Sequence, residues 1–221
     1  MSPTPSEEPA PPAEPDRRGR YHHGDLRSAL VDTAIEVIAE RGVRGFSLAE
    51  ASRRLGVTVA APYRHFADRD DLLAVVAIRA FGVFAAVLAG TLSEDATPAE
   101  QLAAMAGVYV RFAAEHRALF DVLFGAGLDK SKYPALGRAA EPVLEMFLAP
   151  VRSLCGGAPE AVDDLVMAVS ATAHGHAALL LDGAFGTGPE AVDAAESRAA
   201  RATAALVAGR AAMRLHGTMD G

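Results

Sequence analysis

The segment from residue 46 to residue 72, FSLAEASRRLGVTVAAPYRHFADRDDL, constrains the fold of this chain more than any other part of it. Ser47 and Glu50 have the spacing of a capping box, which predicts that a helix begins after Ser47. Gly56 predicts a left-handed turn that ends this helix, and Thr58 predicts the cap of a short second helix. Two short helices joined by a tight turn that contains glycine are typical of a helix-turn-helix, the motif that places a helix in the DNA major groove.

Residues 21–75 resemble the DNA-binding domain of the tetracycline-repressor (TetR) family, through the start YHHGDLRSALVDTAIEVIAERG and the run GVTVAAPYRHFADRDDLL. In that run Asp68 and Asp71 predict the cap of a third helix. The resemblance implies an all-α fold, with an N-terminal three-helix head that carries the helix-turn-helix and a C-terminal helical domain for ligand binding and dimerisation. Two residues depart from the family pattern, since Ser52 replaces the usual alanine and Pro62 replaces a bulky aliphatic residue. Pro62 falls in the first turn of the predicted recognition helix, where N–H groups lack helical partners.

The net charge of −7 is distributed unevenly along the chain. Residues 1–16 contain four acidic residues and no basic ones, residues 17–79 carry a net charge of +3, and residues 80–221 carry −6. The only positive segment therefore covers the predicted head, as expected of a protein that contacts nucleic acid with one end. The single cysteine, Cys155, excludes an internal disulfide and suits a reducing compartment, so we expect a cytoplasmic protein.

Composition, apolar spacing and capping residues predict an acidic, Pro-rich tail over residues 1–20 and helical parts over 21–68, 69–90 and 91–216. The resemblance implies that these three parts are a helix-turn-helix domain, a linking helix and an effector-binding and dimerisation domain. We expect the tail to be disordered and to end in a basic arm over residues 17–23. This arm is either solvated or in contact with DNA phosphates or the minor groove beside the head. In the last part we expect helices after a cap at Thr97 and near 116–124, 138–154, 159–183 and 189–215, with residues 128–137 irregular. The longest stretch without a charged residue, 165–181, is short for a membrane span and indicates a buried helix, so no membrane partner is expected.

The resemblance predicts nine side chains of the head for DNA binding: Arg44, Ser47, Thr58, Val59, Ala60, Tyr63, Arg64, His65 and Arg69. Thr58, Ala60 and Tyr63 lie at the exposed start of the predicted recognition helix, where family members contact bases and phosphates. The basic side chains among the nine are better placed for phosphates. For Tyr63 and His65, packing against the first helix is the alternative.

The segment SATAHGH, residues 170–176, resembles the His-Gly signature in the C-terminal domain of one subgroup of the family. That subgroup usually carries Trp four residues before the His, where this chain has Ser170, so the effector cavity should be larger or differently placed unless its surroundings fill the gap. His174 is either an ordinary hydrogen-bonded core residue or part of the cavity lining. The predicted effector-binding residues are Met105, Tyr109, Phe112, Phe120, Phe124, Met146, Ser170 and His174, with core packing as the alternative for most of them.

These features favour a ligand-responsive transcriptional regulator, expected to be a repressor. It would bind double-stranded DNA at a palindromic operator as a homodimer, and a small apolar or amphipathic effector would release it. In the family the last two long helices of each subunit pair into a four-helix interface, and the Ala- and Gly-rich helices near 159–183 and 189–215 suit such a contact. The alternative is that these faces pack only within the monomer.

Two other classes of function stay open. An all-helical enzyme could use His174 or His116 as an acid or base, although the chain shows no Ser/His/Asp or Cys/His pairing and no Gly-rich phosphate loop. An interaction module with a vestigial helix-turn-helix is the third interpretation. We expect no cofactor and no metal, because no second metal ligand lies four residues from His174 and His176 projects from another side of the helix.

Overall fold

The computed structural model describes residues 23–213 apart from residues 92, 94 and 130, and shows an all-α protein. Within these residues the chain forms eight α-helices and two short 3-10 helices, η1 and η2, and no strand. The α-helices are α1 (His23–Arg41), α2 (Leu48–Leu55), α3 (Arg69–Thr91), α4 (Pro98–Glu115), α5 (Arg117–Gly125), α6 (Pro134–Cys155), α7 (Pro159–Leu181) and α8 (Pro189–Met213); η1 is Val43–Gly45 and η2 is Pro62–Arg64. The predicted fold class is confirmed. The predicted tail, and the basic arm up to residue 22, lie outside the described residues.

The N-terminal head consists of α1, η1, α2, η2 and the first turns of α3. Its core contains Leu30 and Ile38 of α1, Leu48 of α2 and Leu72 of α3, which are all buried, together with Phe66 from the segment that precedes α3. Burying side chains of this size stabilises a fold by about 1.5–3 kcal/mol each. The small core therefore fixes the orientation of the exposed loops that the head carries.

The start of α2 is capped on one side only. Ser47 Oγ accepts a hydrogen bond of 3.2 Å from the backbone N–H of Glu50, as the sequence predicts. The return bond of a capping box is not formed, because the Glu50 carboxylate instead binds the Arg53 guanidinium at 2.8 and 3.0 Å. A complete capping box occurs at α4, where Thr97 and Glu100 exchange both bonds. The predicted box at Ser47 is thus corrected to a single cap.

The segment after the helix-turn-helix turn differs from the prediction. Gly56 adopts the expected left-handed conformation, with φ of 66°. The next element is one turn of 3-10 helix over Pro62–Arg64, in place of the predicted α-helix. An α-helix capped at Thr58 would take its first i→i−4 bond from the N–H of residue 62 to the carbonyl of Thr58, and Pro62 has no N–H to donate. The N–H of Ala61 bonds to that carbonyl at 2.9 Å instead, and the Thr58 side chain caps no N–H of the described residues.

The long helix α3 runs from the head into the C-terminal helices. By length and composition α3 and α7 could each cross a membrane. Each of them buries one face in the helical core, which gives their hydrophobicity a role inside the fold. The buried residues of α3 are Leu72, Leu73, Ala74, Val76, Ala77, Ala80, Phe84 and Leu88; those of α7 are Val162, Leu165, Val169, Ala173, Ala177 and Leu180.

The C-terminal helices pack around α4, which contacts α5, α6, α7 and α8. At the crossing with α8, a Cβ added to Gly107 would come within 3.1 Å of Glu196 Cγ. One turn further along α4, Arg111 Nε donates to the Glu196 carboxylate at 2.7 Å. The helix α6 begins at Pro134, one turn earlier than predicted, because proline suits the first helical position and needs no N–H partner there.

Candidate nucleic-acid interface and ligand cavity

The recognition segment, residues 57–66, presents two large apolar side chains to solvent. Val59 is 59% exposed and Tyr63 is 57% exposed, whereas Pro62 and Phe66 are buried beneath them. The buried pair anchors the segment to the head, so the outward side chains are held in place without packing on other residues. Exposed apolar side chains on a rigid turn are able to contact base edges, thymine methyl groups or sugars.

The basic side chains of the head divide into paired and unpaired groups. Arg41, Arg53 and Arg54 all contact the Glu50 carboxylate, and Arg54 also binds Glu40. These contacts, led by the hydrogen bond from Arg53, lower the pKa of Glu50 to about 2. The network ties α2 to α1, and its two carboxylates offset two of the three arginine charges.

Two of the arginines outside this network are Arg44 and Arg64. Both are exposed, and neither side chain makes a hydrogen bond or ion pair with another described residue. Arg44 lies in η1 and Arg64 lies in the recognition segment. An exposed guanidinium without an internal partner can neutralise a phosphate at little cost to the fold.

The side chain of Arg69, the first residue of α3, bonds to the backbone of the head. Its Nε donates to the carbonyl of Phe46 at 3.1 Å, and its Nη2 donates to the carbonyl of Val43 at 2.6 Å. Its Nη1 binds Asp70 at 3.0 Å. All three nitrogens therefore have partners, and Arg69 joins α3 to the loop before α2. The sequence prediction placed this guanidinium on a phosphate and missed these internal bonds.

The other residues of the head that were predicted to contact DNA differ in their exposure and in their hydrogen-bond partners. Thr58 and Ala60 are exposed beside Val59. Ser47 is exposed but is also the cap of α2. His65 is half-buried, and its Nε2 has no partner among the described residues.

A cavity of about 560 Å³ lies between α3, α4, α5, α6 and α7. It is lined by Phe81, Phe84, Tyr109, Phe124, Ala140, Val143, Leu144, Phe147, Leu148, Val166, Met167, Ser170, Ala171, Ala173 and His174. Phe124, Leu144 and Met167 are each about half exposed or more and lie at its opening. The volume and the apolar lining are typical of a site for a drug-sized molecule.

Tyr109 and His174, which are 65 positions apart in the sequence, meet in the wall of this cavity. Tyr109 Oη lies 2.9 Å from His174 Nδ1. The imidazole ring of His174 also stacks on Phe120, with ring centroids 5.7 Å apart, and meets Phe124 edge to face at 5.3 Å. Burial raises the pKa of the Tyr109 hydroxyl, which therefore stays protonated and able to donate a hydrogen bond.

The structure brings only half of the predicted effector residues to the lining. Tyr109, Phe124, Ser170 and His174 line the cavity, whereas Met105, Phe112, Phe120 and Met146 do not. Met105 and Phe112 are fully buried in the core, Phe120 lies behind His174, and Met146 is half-buried on the other side of α6 from the lining. The prediction missed the contribution of α3 and α6, above all Phe81, Phe84 and Phe147. Their helical spacing, like that of any core residue, gave no signal that they face a void.

His176 projects away from the cavity, as expected. Its Nδ1–H donates to the carbonyl of Thr172 at 2.8 Å, and its ring stacks on Phe185. Among the described residues, no three His, Cys, Asp or Glu side chains converge as a metal site would require.

Two contacts connect the cavity to the head besides the chain itself. The helix α5 carries Phe120 and Phe124 to His174, and it also packs against α1, η1 and α3. In the loop before α6, Lys132 Nζ lies 3.3 Å from Asp68 Oδ2, while Asp68 caps α3 through the backbone N–H of Asp71. A movement of α5 or α6 would therefore change the contacts of the first turn of α3, beside the recognition segment.

Comparison with known proteins supports the two-part arrangement. Residues 30–76 match the family described as bacterial regulatory proteins, tetR family, and residues 102–203 match the tetracyclin repressor-like C-terminal domain. The HTH-type transcriptional regulator BetI of Rhizobium meliloti (strain 1021) is 29% identical over 85 residues, which are 38% of this chain and 42% of that protein. The match therefore spans less than half the length of this curated relative.

Solved structures share the fold over most of the chain. A protein with unknown function from Rhodococcus sp. RHA1 is 29% identical, with a TM-score of 0.64, and the match covers 85% of this chain and 98% of that chain. A bacterial regulatory protein in the tetR family from Rhodococcus RHA1 (15% identity, TM-score 0.65, 82% and 96% covered) and a TetR variant from Acinetobacter baumannii AYE in complex with minocycline (20% identity, TM-score 0.58, 85% and 97% covered) have the same fold. With its helix-turn-helix head and its C-terminal helices both matched in order, this chain belongs to the TetR family of bacterial regulatory proteins.

Proposed function

We propose that this protein is a repressor that binds a palindromic operator as a homodimer and leaves it when a small apolar or amphipathic effector enters the cavity. The observation that carries the proposal is the recognition segment, which holds Val59, Tyr63 and Arg64 outward on a rigid base without internal partners. The predicted base contacts remain Thr58, Ala60 and Tyr63. Arg44 and Arg64 are the phosphate contacts that the geometry supports best.

The homodimer is supported by the outer faces of the last two helices. On α7, Gly175 and Leu179 are exposed on a face that turns away from the cavity lining, and on α8 Ala204, Ala205 and Ala208 are exposed. Small side chains allow close helix approach, and two copies of such a face form a self-complementary contact. One 3-10 turn offers few contacts to DNA, so two heads on two half-sites are needed for useful affinity.

Release would follow from coupling between the cavity and the head. An effector that displaces Phe124 or α6 favours one position of α5 and of the loop that carries Lys132. Both elements contact the head, so the two heads would no longer match the spacing of the operator half-sites. Coupling free energies of this kind are commonly about 1–3 kcal/mol. By analogy, the minocycline complex of a protein with the same fold supports a small-molecule effector. We also propose that the protein is a member of the His-Gly subgroup and is cytoplasmic.

The test is selection of duplexes from a randomised pool by the full-length protein, followed by titration of the enriched sequence and a scrambled control. We expect a palindrome with half-sites about 10 base pairs apart, and an affinity that falls linearly with salt on logarithmic axes. Ala60→Asn should change the preference at one or two base positions of each half-site. Equal affinity for the enriched and scrambled duplexes, or a protein that stays monomeric on DNA, contradicts the proposal.

The enzyme alternative has one supporting observation, the hydrogen-bonded pair of Tyr109 and His174. Among the described residues, the Tyr109 hydroxyl is the one hydrogen-bond partner of His174 and no carboxylate is bonded to it; its other neighbours are aromatic rings. A general base needs such a partner or a substrate proton within reach. The same pair has a simpler role in recognising a ligand.

A further inference from the structure

The cavity presents all of its polar side chains on one side. Its lining contains no Asp, Glu, Lys or Arg, and its polar side chains are Tyr109, Ser170 and His174, on α4 and α7. The other lining residues are aliphatic or aromatic, including Phe81, Phe84 and Phe147. A charged group placed here loses hydration without gaining an opposite charge, which makes a charged ligand costly to bind.

The hydrogen bond between Tyr109 and His174 fixes which nitrogen of His174 faces the cavity as a donor. Tyr109 is buried, and its hydroxyl has no partner other than His174 Nδ1 among the described residues. If Nδ1 carried the proton, the hydroxyl hydrogen would need another acceptor, and no other described residue provides one. The Tyr109 hydroxyl therefore donates to Nδ1, and His174 carries its proton on Nε2.

Ser170 supplies a second donor beside Nε2. It lies four residues before His174 on α7, so the two side chains project from the same face of the helix, one turn apart. Neither Ser170 Oγ nor His174 Nε2 makes a hydrogen bond with another described residue. A carbonyl oxygen has two lone pairs and can accept from both donors at once.

We propose that this cavity selects uncharged aromatic or polycyclic carbonyl compounds, with the carbonyl oxygen held by His174 Nε2–H and Ser170 Oγ–H and the ring system between the phenyl rings. This assignment rests on the proposed function in so far as the ligand is the effector. Tyr109 is a positioning residue, since it acts on the ligand through His174. The aromatic walls favour flat ligands because rings pack well in offset-stacked and edge-to-face arrangements.

The decisive probes are three fluorescent molecules of nearly equal shape. Pyrene-1-carboxamide is neutral, pyrene-1-carboxylate is an anion and pyrene-1-carboxamidine is a cation at pH 7. We expect the carboxamide to bind the full-length protein at least about tenfold more tightly than either charged probe. A cation that bound best would instead show recognition by the aromatic faces alone.

Variants of α7 test the hydrogen bonds. His174→Phe keeps a ring but removes the donor, and Ser170→Ala removes the hydroxyl; each should weaken carboxamide binding by about three- to tenfold. Binding of 1-methylpyrene, which has no carbonyl group, should stay unchanged in both variants. His176→Phe is the matched control, because it makes the same exchange on the same helix outside the lining and should leave both probes unaffected.

Ligand binding and operator binding are measured on the same protein samples. Charged probes that bind as well as the carboxamide, a carboxamide that does not bind, or a His174→Phe loss shared by 1-methylpyrene would overturn the assignment. Each of these results leaves operator binding, and so the proposed function, untouched. Selective carboxamide binding by a protein without operator preference would uphold the assignment and overturn only the proposed regulator.

Discussion

The Nη2 group of Arg69 donates a hydrogen bond of 2.6 Å to the carbonyl oxygen of Val43, and so fastens the start of α3 to η1. The same guanidinium reaches the carbonyl of Phe46 and lies 5.9 Å from the centre of its ring. Arg69 therefore sets how the recognition segment, which ends just before α3, is held against α2. Arg64 is its counterpart on the surface, with an exposed guanidinium that has no partner among the described residues.

This difference predicts opposite effects for two arginine substitutions. Arg69→Met should lower the free energy of unfolding by about 1–3 kcal/mol, because two backbone carbonyls lose a charged donor. Arg64→Met should leave thermal unfolding unchanged but weaken binding to specific and random duplexes alike, and reduce the salt dependence by about one phosphate contact. Thermal unfolding and fluorescence anisotropy with labelled duplexes measure the two effects. If Arg69→Met left unfolding unaltered, the internal bonds would add no stability, and a phosphate contact would be the remaining role for Arg69.

How much of the molecule the sequence could predict depends on whether the determining contacts are local. Ser47 caps α2 and Gly56 ends it as predicted, since both act within a few residues. Pro62 shows the limit of family resemblance, because the missing N–H of one residue replaces the expected α-helix by a 3-10 turn. The cavity depends on contacts between distant helices. Tyr109 and Phe84 both face it, but nothing in their spacing separates them from Phe112, which is buried between helices.

The lowered pKa of Glu50 predicts that the stability of the head depends on pH. Contacts with arginines lower its pKa to about 2 from an ordinary value of 4.5, so the charged carboxylate stabilises the folded state. That contribution is complete above about pH 4.5 and is lost as the pH falls toward 2, because the unfolded chain takes up the proton first. Glu50→Gln should therefore unfold at a lower temperature than wild type at pH 7, and the difference should shrink through this window. A difference that stays constant from pH 7 to pH 3 would assign the effect to something other than charge.

Gly107 and Gly82 form a matched pair for the packing of the C-terminal helices. Both are in α-helices, where alanine is more favourable than glycine by about 1 kcal/mol. A Cβ at Gly82 meets no atom within 4 Å, so Gly82→Ala should gain this stability. A Cβ at Gly107 presses on Glu196, which Arg111 holds in place, so Gly107→Ala should gain nothing or lose stability. Denaturant unfolding of the two variants compares their stabilities directly. Equal stabilisation would show that the contact between α4 and α8 adjusts to the added Cβ at little cost.

Ser170→Trp is expected to block the effector cavity without harming operator binding. Ser170 lines the cavity on α7 and is exposed to it, so a Trp side chain can enter the void without displacing core residues. The head lies beyond α3 and α5, and the recognition segment makes no contact that this exchange would remove. The variant should therefore bind the selected duplex with nearly wild-type affinity and lose the response to any ligand that releases wild type. Ser170→Ala keeps the space open and is the comparison, since it should still admit the ligand, although more weakly, and should still release DNA at a higher ligand concentration. Linkage requires that a ligand which weakens DNA binding is itself bound more weakly by the DNA complex, and by the same factor. Ligand titrations of wild type and both variants, with and without operator, measure that factor. A Ser170→Trp protein that still binds the ligand and still releases DNA would place the effector site elsewhere in the C-terminal helices.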